Sequence, residues 1–466
     1  MKLFHQRSAV LVLFGASAVL SAQQNWTVKP EWVRAHESFL ASDVLAGRGS
    51  ATRDEELTAT YVASEFESYG LKHAPGMASY IQAAPVVMPE LDGKATLEAG
   101  RGSSRTILKE DADFVLLTSS GASATGPLVR VASSEIQSAH IAAGSAVLLT
   151  GVADMKALMP AMSQIRRLRA AVILVPETPE LSTLPQMFGG KTRVSIRLAE
   201  DPPRNSATIL LVHADAVAKL SAANGTEINV TVHELPPATP RQTFNAIGYL
   251  PGTDPNAGTL LLSAHLDHLG IGRPVNGDSI YNGANDDAAG TTAVMELAHA
   301  LAAGPPLRRS VLFVCYGSEE IGTLGSTYFG HHPPVPLKDL VANLEFEMIG
   351  TQDPKMPPGV LLLTGWERSN LGPALKEHGA LVGPDPYPEQ HFFERSDNYA
   401  LALQGVVAHT AAGWGTPPTY HQPNDDLDHL DIAFMTRAIQ SLIEPVRWLA
   451  GSDFRPQWNP GGQPQR

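Results

Sequence analysis

The sequence predicts an α/β protein: a doubly wound, mostly parallel sheet with helices on both faces, carrying an inserted β-rich domain. Three observations predict it. From Phe244 onward, apolar runs of strand length alternate with helix-length stretches, as in strands joined by crossover helices. Between 91 and 240 the apolar runs are shorter and more closely spaced. Finally, 466 residues that are 43% hydrophobic and 17% charged make a core-forming chain too long for one ordinary domain.

At the N-terminus, Lys2 and Arg7 precede an apolar stretch from Ala9 to Leu20, with small residues up to Ala22. This is the pattern of a secretory signal peptide over 1–22, too short for a membrane span. The expected mature protein is soluble, without a membrane span, and secreted or periplasmic. Losing the leader removes two cations and no acid, taking the net charge from -13 to -15. Such a charge excludes nucleic acid as a partner and fits a protein that offsets its acids with bound cations. The single cysteine, Cys315, lies in an apolar run, which reads as a buried inert thiol and leaves no intrachain disulfide possible.

Residues 23–90 read as helix, loop, helix. The second helix, about 54–69, places Leu57, Tyr61 and Phe66 toward one face and stops at Gly70. The insertion, 91–240, holds strand-like runs at 114–117, 128–131, 146–149, 171–175, 194–197 and 228–232, with a helix around 155–168. The third segment, 241–453, has strands at 259–264, 310–316, 341–346, 360–364 and 405–410. Its helices fall at 290–302, 370–378 and 432–449. The tail, 454–466, is rich in Pro, Gly and Gln and reads as disordered.

In open α/β sheets, ligands bind beyond the carboxyl ends of strands, and the chemically suggestive residues fall there. His265 follows one apolar run directly, Glu319 and Glu320 follow another after a short turn, and Glu347 ends a third. Asp286 sits in an Asn- and Gly-rich loop before a helix, and His421 follows Tyr420 late in the chain. Two imidazoles, a carboxylate able to bridge and a pair of adjacent glutamates are what a two-zinc hydrolytic site needs. Each alone has a plainer reading: Asn285 and Asp286 as a helix cap, the glutamates as solvated charges, His-x-Asp as a surface pair. Asp267 can accept from the second ring nitrogen of His265, and His268 reads as its incidental neighbour. Of the paired glutamates, one serves as ligand and one as base.

The stretch from about Phe244 to Leu430 resembles the co-catalytic zinc aminopeptidases of the bacterial leucyl aminopeptidase and glutamate carboxypeptidase family. The matching text is Ser263 to Gly270 (SAHLDHLG), Asn282 to Gly290 (NGANDDAAG), Gly317 to Gly322 (GSEEIG), Glu347 to Gly350 (EMIG), Arg395 to Asn398 (RSDN) and Tyr420 to Asp425 (YHQPND). Ser42-Asp43 and Gly47-Arg48 are similar to the same family's N-terminal segment, and the insertion is similar in placement to a protease-associated domain. The resemblance implies two zinc ions bridged by Asp286, with His265 and Glu347 completing one site and Glu320 and His421 the other. It implies Glu319 as general base, Asp267 orienting His265, Asp397 as a supporting group, and a cis peptide between Asp286 and Asp287. The family more often has aspartate at Glu347, and Glu345 lies two residues earlier on the same strand face. The implied function is a zinc-dependent aminopeptidase acting on peptides with a free N-terminus. A carboxypeptidase (Arg395 being the nearby cation), a glutaminyl cyclase or a receptor-like ectodomain are the alternatives on the same scaffold. Tyr399 and Tyr420 are the hydroxyls available to stabilise an oxyanion. Side-chain preference and oligomeric state leave no trace in the sequence.

Overall fold

Runs such as Thr259–His265 and Ser310–Tyr316 are buried at every residue, which only a strand covered on both faces sustains. In the computed structural model these runs form the centre of a mixed nine-stranded sheet. The described residues are 26–465 without 102–103, 122, 188–191, 195, 202–206, 222–225 and 236–240. The expected signal peptide, 1–22, lies outside them. Among the described residues no helix is long and apolar enough to cross a membrane.

Across the sheet the strands run Arg197–Leu198, Ile81–Val87, Arg241–Leu250, Ser310–Tyr316, Thr259–His265, Leu340–Glu347, Ala408–Ala412, Leu361–Leu363 and Val382–Pro384. Ser310–Tyr316, Thr259–His265, Leu340–Glu347 and Ala408–Ala412 are mutually parallel, with Ala264 beside Cys315 and His265 beside Tyr316. The flanks are largely antiparallel. Parallel pairing thus dominates the centre, where helices such as Ala289–Ala302 supply the crossovers that parallel neighbours require, and recurs at one edge between Leu361–Leu363 and Val382–Pro384.

Side-chain alternation splits each central strand between two cores. Leu260, Leu262 and Ala264 pack with Val33, Phe66, Val294 and Ile439, from helices Pro30–Leu40, Arg53–Ser68, Ala289–Ala302 and Ile432–Gly451. Leu261, Leu312 and Val314 pack on the opposite face with Phe329 and Leu401. Each fully buried leucine contributes roughly 1.5–3 kcal/mol relative to an exposed one. Cys315 is buried, and burial pushes its thiol well above the ordinary range.

Three expectations change. In Arg53–Ser68 the buried stripe is Glu55, Thr58, Ala59, Val62 and Phe66, so Leu57 points outward at 37% exposure. The inserted unit has a parallel centre of its own, Ala124–Ala132, Ala146–Thr150, Val172–Pro176 and Thr208–Val212. Helix Met155–Arg167 covers one of its faces and Ala214–Ser221 the other, so the unit is α/β at its centre rather than simply β-rich. The tail is ordered through 465, since Trp458 packs on Phe393 and His409, and its indole donates to Gly405 O at 3.1 Å.

His409, fully buried on Ala408–Ala412, lies 2.7 Å from Ser369 Oγ and 2.8 Å from Thr364 O. Burial lowers its pKa from 6.5 to about 4. A lowered imidazole pKa means stability held at neutral pH and lost as pH falls from about 6.5 to about 4. In metal-free protein, urea unfolding across that window is expected to cost the native chain about 3 kcal/mol more than His409→Gln. Identical pH slopes would rule His409 out as the acid-labile group.

Candidate metal centre

Five strand-end segments converge. His265 is the last residue of Thr259–His265 and Glu347 the last of Leu340–Glu347, while the Glu319-Glu320 turn follows Ser310–Tyr316. Asp286 lies just before Ala289–Ala302, and His421 lies beyond Ala408–Ala412. Asp286 stands at the middle: its Oδ1 is 3.2 Å from His265 Nε2 and its Oδ2 is 3.2 Å from His421 Nε2. His421 Nε2 is in turn 3.3 Å from Glu320 Oε2. The ligand-type atoms of His265, Asp286 and Glu347 lie within 4.8 Å of one another, as do those of His268, Asp286 and Glu320.

The backbone around these groups is held from behind. The peptide bond Asp286-Asp287 is cis. Asp425 accepts from Asn285 N and Asp286 N, both at 3.0 Å, and Asp287 Oδ1 accepts from Gly290 N and Met348 N, both at 2.9 Å. Arg48, fully buried, donates to Leu266 O at 2.9 Å, Asn282 O at 2.5 Å and Gly283 O at 2.8 Å, bracketing the His265 and Asp286 segments. Gly47 has φ +70, and a β-carbon there would stand 2.3 Å from Tyr281 O, so only glycine fits. Glu55 holds the other side, accepting from Ser318 Oγ at 2.9 Å and Phe244 N at 2.8 Å.

The site carries more buried negative charge than its imidazoles balance. Burial drives Glu319 and Asp287 well above the carboxylate range, opposed by His265. Burial also works against ionisation of Asp286, but the imidazoles of His265 and His421, each 3.2 Å from one of its oxygens, outweigh it and hold this carboxyl well below its ordinary value. His265 Nε2, both ring nitrogens of His268 and Glu320 Oε1 are buried without a hydrogen-bond partner. His268 Nδ1 and Glu320 Oε1 are 2.8 Å apart yet not aligned as donor and acceptor. Two lone-pair atoms aimed at a common third atom take this arrangement. Imidazole and carboxylate donors suit zinc, and an unpaired buried acid set is costly without cations. The residues therefore fit a pair of divalent ions.

The sequence profile of peptidase family M28 matches residues 245–445. Residues 245–445 belong to this family. Leupeptin-inactivating enzyme 1 of Streptomyces exfoliatus is 34% identical over 113 residues, covering 24% of this chain and 24% of that protein, so the match spans a quarter of the relative's length. Two solved structures share the fold over nearly the whole chain. An aminopeptidase from Aneurinibacillus sp. strain AM-1 aligns with TM-score 0.60 and 18% identity, over 94% of this chain and 98% of that one. BSAP, a zinc aminopeptidase from Bacillus subtilis, aligns with TM-score 0.56 and 17% identity over the same shares.

Within this M28 segment the structure brings together His265, Asp286, Glu320, Glu347 and His421, with Glu319 partly exposed at the edge of the group. Glu347 joins the cluster, whereas Glu345 accepts from Ser396 Oγ at 2.9 Å and from Asn398 N. His268, read from sequence as incidental, is fully buried against Glu320 and Asp286; its backbone N donates to Arg48 O at 3.1 Å, which turns the ring inward. Asp267 differs from expectation too. Its Oδ1 is 3.7 Å from His265 Nδ1, beyond hydrogen-bond length, and the ring nitrogen meets the Asp267 carbonyl at 3.2 Å instead. The carboxylate accepts from Ser50 Oγ at 2.5 Å and Glu319 N at 3.0 Å, so it positions the paired-glutamate turn. Asp397 accepts from Ser326 Oγ at 2.5 Å. Tyr399 packs on Phe393 in the opposite core, whereas Tyr420 stacks on His421 and lines a narrow cleft beside Glu347. Met348, Leu362, Phe392 and Arg395 also line that cleft.

Proposed function

We propose that the chain is a two-zinc aminopeptidase that hydrolyses the first peptide bond of substrates with a free N-terminus. The observation that carries it is Asp286, whose two oxygens face separate ligand sets, His265 and Glu347 on one side, Glu320 and His421 on the other. Zinc ions held there would polarise the scissile carbonyl and acidify water. Glu319, on the same turn as Glu320, takes the proton from the attacking water and returns it to the leaving amine. The surplus of carboxylates attracts the substrate ammonium, and Met348, Leu362 and Phe392 receive an apolar first side chain. Tyr420, lining the same cleft, supplies a hydroxyl for the developing oxyanion. Support for the peptidase reading also comes from the named aminopeptidases of the same fold. The export reading rests on Lys2, Arg7 and the apolar stretch ending at Leu20, and the protease-associated reading of the insertion on its place between the two parts of the catalytic sheet.

Arg395, whose guanidinium lies 5.1 Å over the Phe392 ring at the cleft, favours one rival, a carboxypeptidase that clamps a terminal carboxylate. A panel of aminoacyl anilides and end-blocked peptides, with and without chelator, separates the two. Free N-termini are expected to be required, N-acetylation to abolish cleavage, and zinc to restore what chelator removes. Cleavage of N-acetylated peptides that needs a free C-terminus would overturn the aminopeptidase reading.

A further inference from the structure

A second set of ligand-type side chains faces solvent where the inserted segment meets the catalytic sheet. The two-residue strand Arg197–Leu198 pairs antiparallel with Ile81–Val87 at the sheet's edge. Ala199 N donates to Pro85 O at 2.8 Å and Asp201 N to Leu198 O at 3.1 Å, while Arg197 Nη1 donates to Asp201 O at 2.7 Å. This fixes Glu200 and Asp201 against the carboxyl end of helix Leu324–His331. Glu200 Oε1 lies 2.8 Å from His331 Nδ1, and Glu200 Oε2 lies 2.7 Å from His332 Nε2. Gln82 Nε2 donates to His332 O at 2.8 Å, tying the end of the helix to the edge strand.

We propose that Glu200, Asp201 and His331, with His332 in reach, bind a zinc ion that clips the inserted segment to the catalytic unit. The ligand atoms of Glu200, Asp201 and His331 lie within 4.8 Å of one another, close enough for one ion after small side-chain shifts. Those shifts are available, because the Glu200, His331 and His332 side chains are 37–49% exposed. One imidazole and two carboxylates leave a fourth position for water, a common zinc arrangement. The negative end of the dipole of helix Leu324–His331 favours a cation there. The ligands come from segments 131 residues apart, Glu200 and His331, so the ion acts as a cross-link whose binding energy opposes their separation.

The clip lies at the far end of a helix that starts at the catalytic turn. Helix Leu324–His331 begins where that turn ends: Leu324 N donates to Ser318 O at 3.0 Å and Gly322 N to Glu319 O at 2.8 Å. Eight helical residues span about 12 Å, so the clip holds the far end of the same rigid rod. This site shares no residue with the catalytic group, and its exposure makes it the weaker of the two.

Zinc alone is the probe. Full-length protein, saturated with zinc and then dialysed against micromolar zinc, is expected to hold one ion per chain more than Glu200→Gln or His331→Ala, measured by plasma mass spectrometry. All three proteins are expected to turn over substrate at equal rates, since neither residue belongs to the catalytic group. Added zinc should also raise the Tm of the native chain beyond that of either variant. The readout is a difference between proteins, so it stands whether or not the catalytic group holds zinc of its own. If His331→Ala does not fold, Glu200→Gln carries the comparison. Equal zinc content in native chain and variants overturns the proposal.

Discussion

Glu319→Gln is expected to keep both catalytic metal ions and to lose turnover by about 10³-fold, within the range that a positioned proton-transfer group supplies. The reasoning starts from the turn. Asp267 accepts from Glu319 N at 3.0 Å and sits near Glu320 N at 3.4 Å, so neighbouring residues on one fixed turn send their side chains to different tasks. Glu320 meets His421 and His268, whereas Glu319 is absent from both metal-type groups of the site and stays partly exposed. Glutamine preserves the size of the side chain and removes its capacity to take a proton. Metal content near that of the native chain, with KM little changed and kcat collapsed, is the expected signature. Loss of a metal ion would make Glu319 a ligand instead, and an unchanged kcat would remove it as the base.

The sequence made the centre of this fold legible because its strands are unbroken apolar runs that stop at polar residues. Thr259–His265 ends on a histidine and Leu340–Glu347 on a glutamate, and a strand end is where an open α/β sheet binds its ligand. His268 stayed hidden because its burial depends on a contact 220 residues away in sequence, from its backbone N to Arg48 O. Arg48 itself gave only a family-like dipeptide; its place behind the metal group comes from three carbonyls on two later segments. The parallel centre of the insertion was obscured for another reason. Thr208–Val212, buried at every residue, is only five residues long, and so short an apolar run shows no period by which to read it as a strand. In the tail, Pro and Gly content suggested disorder, but one indole between Phe393 and His409 orders the segment.

Asp286→Asn is expected to do what no other single ligand substitution does, weakening both catalytic metal sites at once. A terminal ligand serves one ion: Glu347→Gln should cost the site built with His265, and His421→Asn the site built with Glu320, leaving about one zinc in the catalytic group of each. Asp286 faces both sets with separate oxygens, 3.2 Å from His265 on one side and 3.2 Å from His421 on the other. Asparagine keeps the volume and removes the charge, and an amide nitrogen presents no lone pair to a cation. The variant should therefore bind less than one zinc tightly in this group and lose more activity than Glu319→Gln. Stability gives an independent readout. A ligand held only by the folded state stabilises it by about 4 kcal/mol at a thousandfold excess over Kd, so chelator should lower the Tm of the native chain sharply and that of Asp286→Asn much less. Had Asp286 served only as a helix cap, its replacement by asparagine, an equally good cap, would leave metal content and the chelator-induced shift as they are in the native chain.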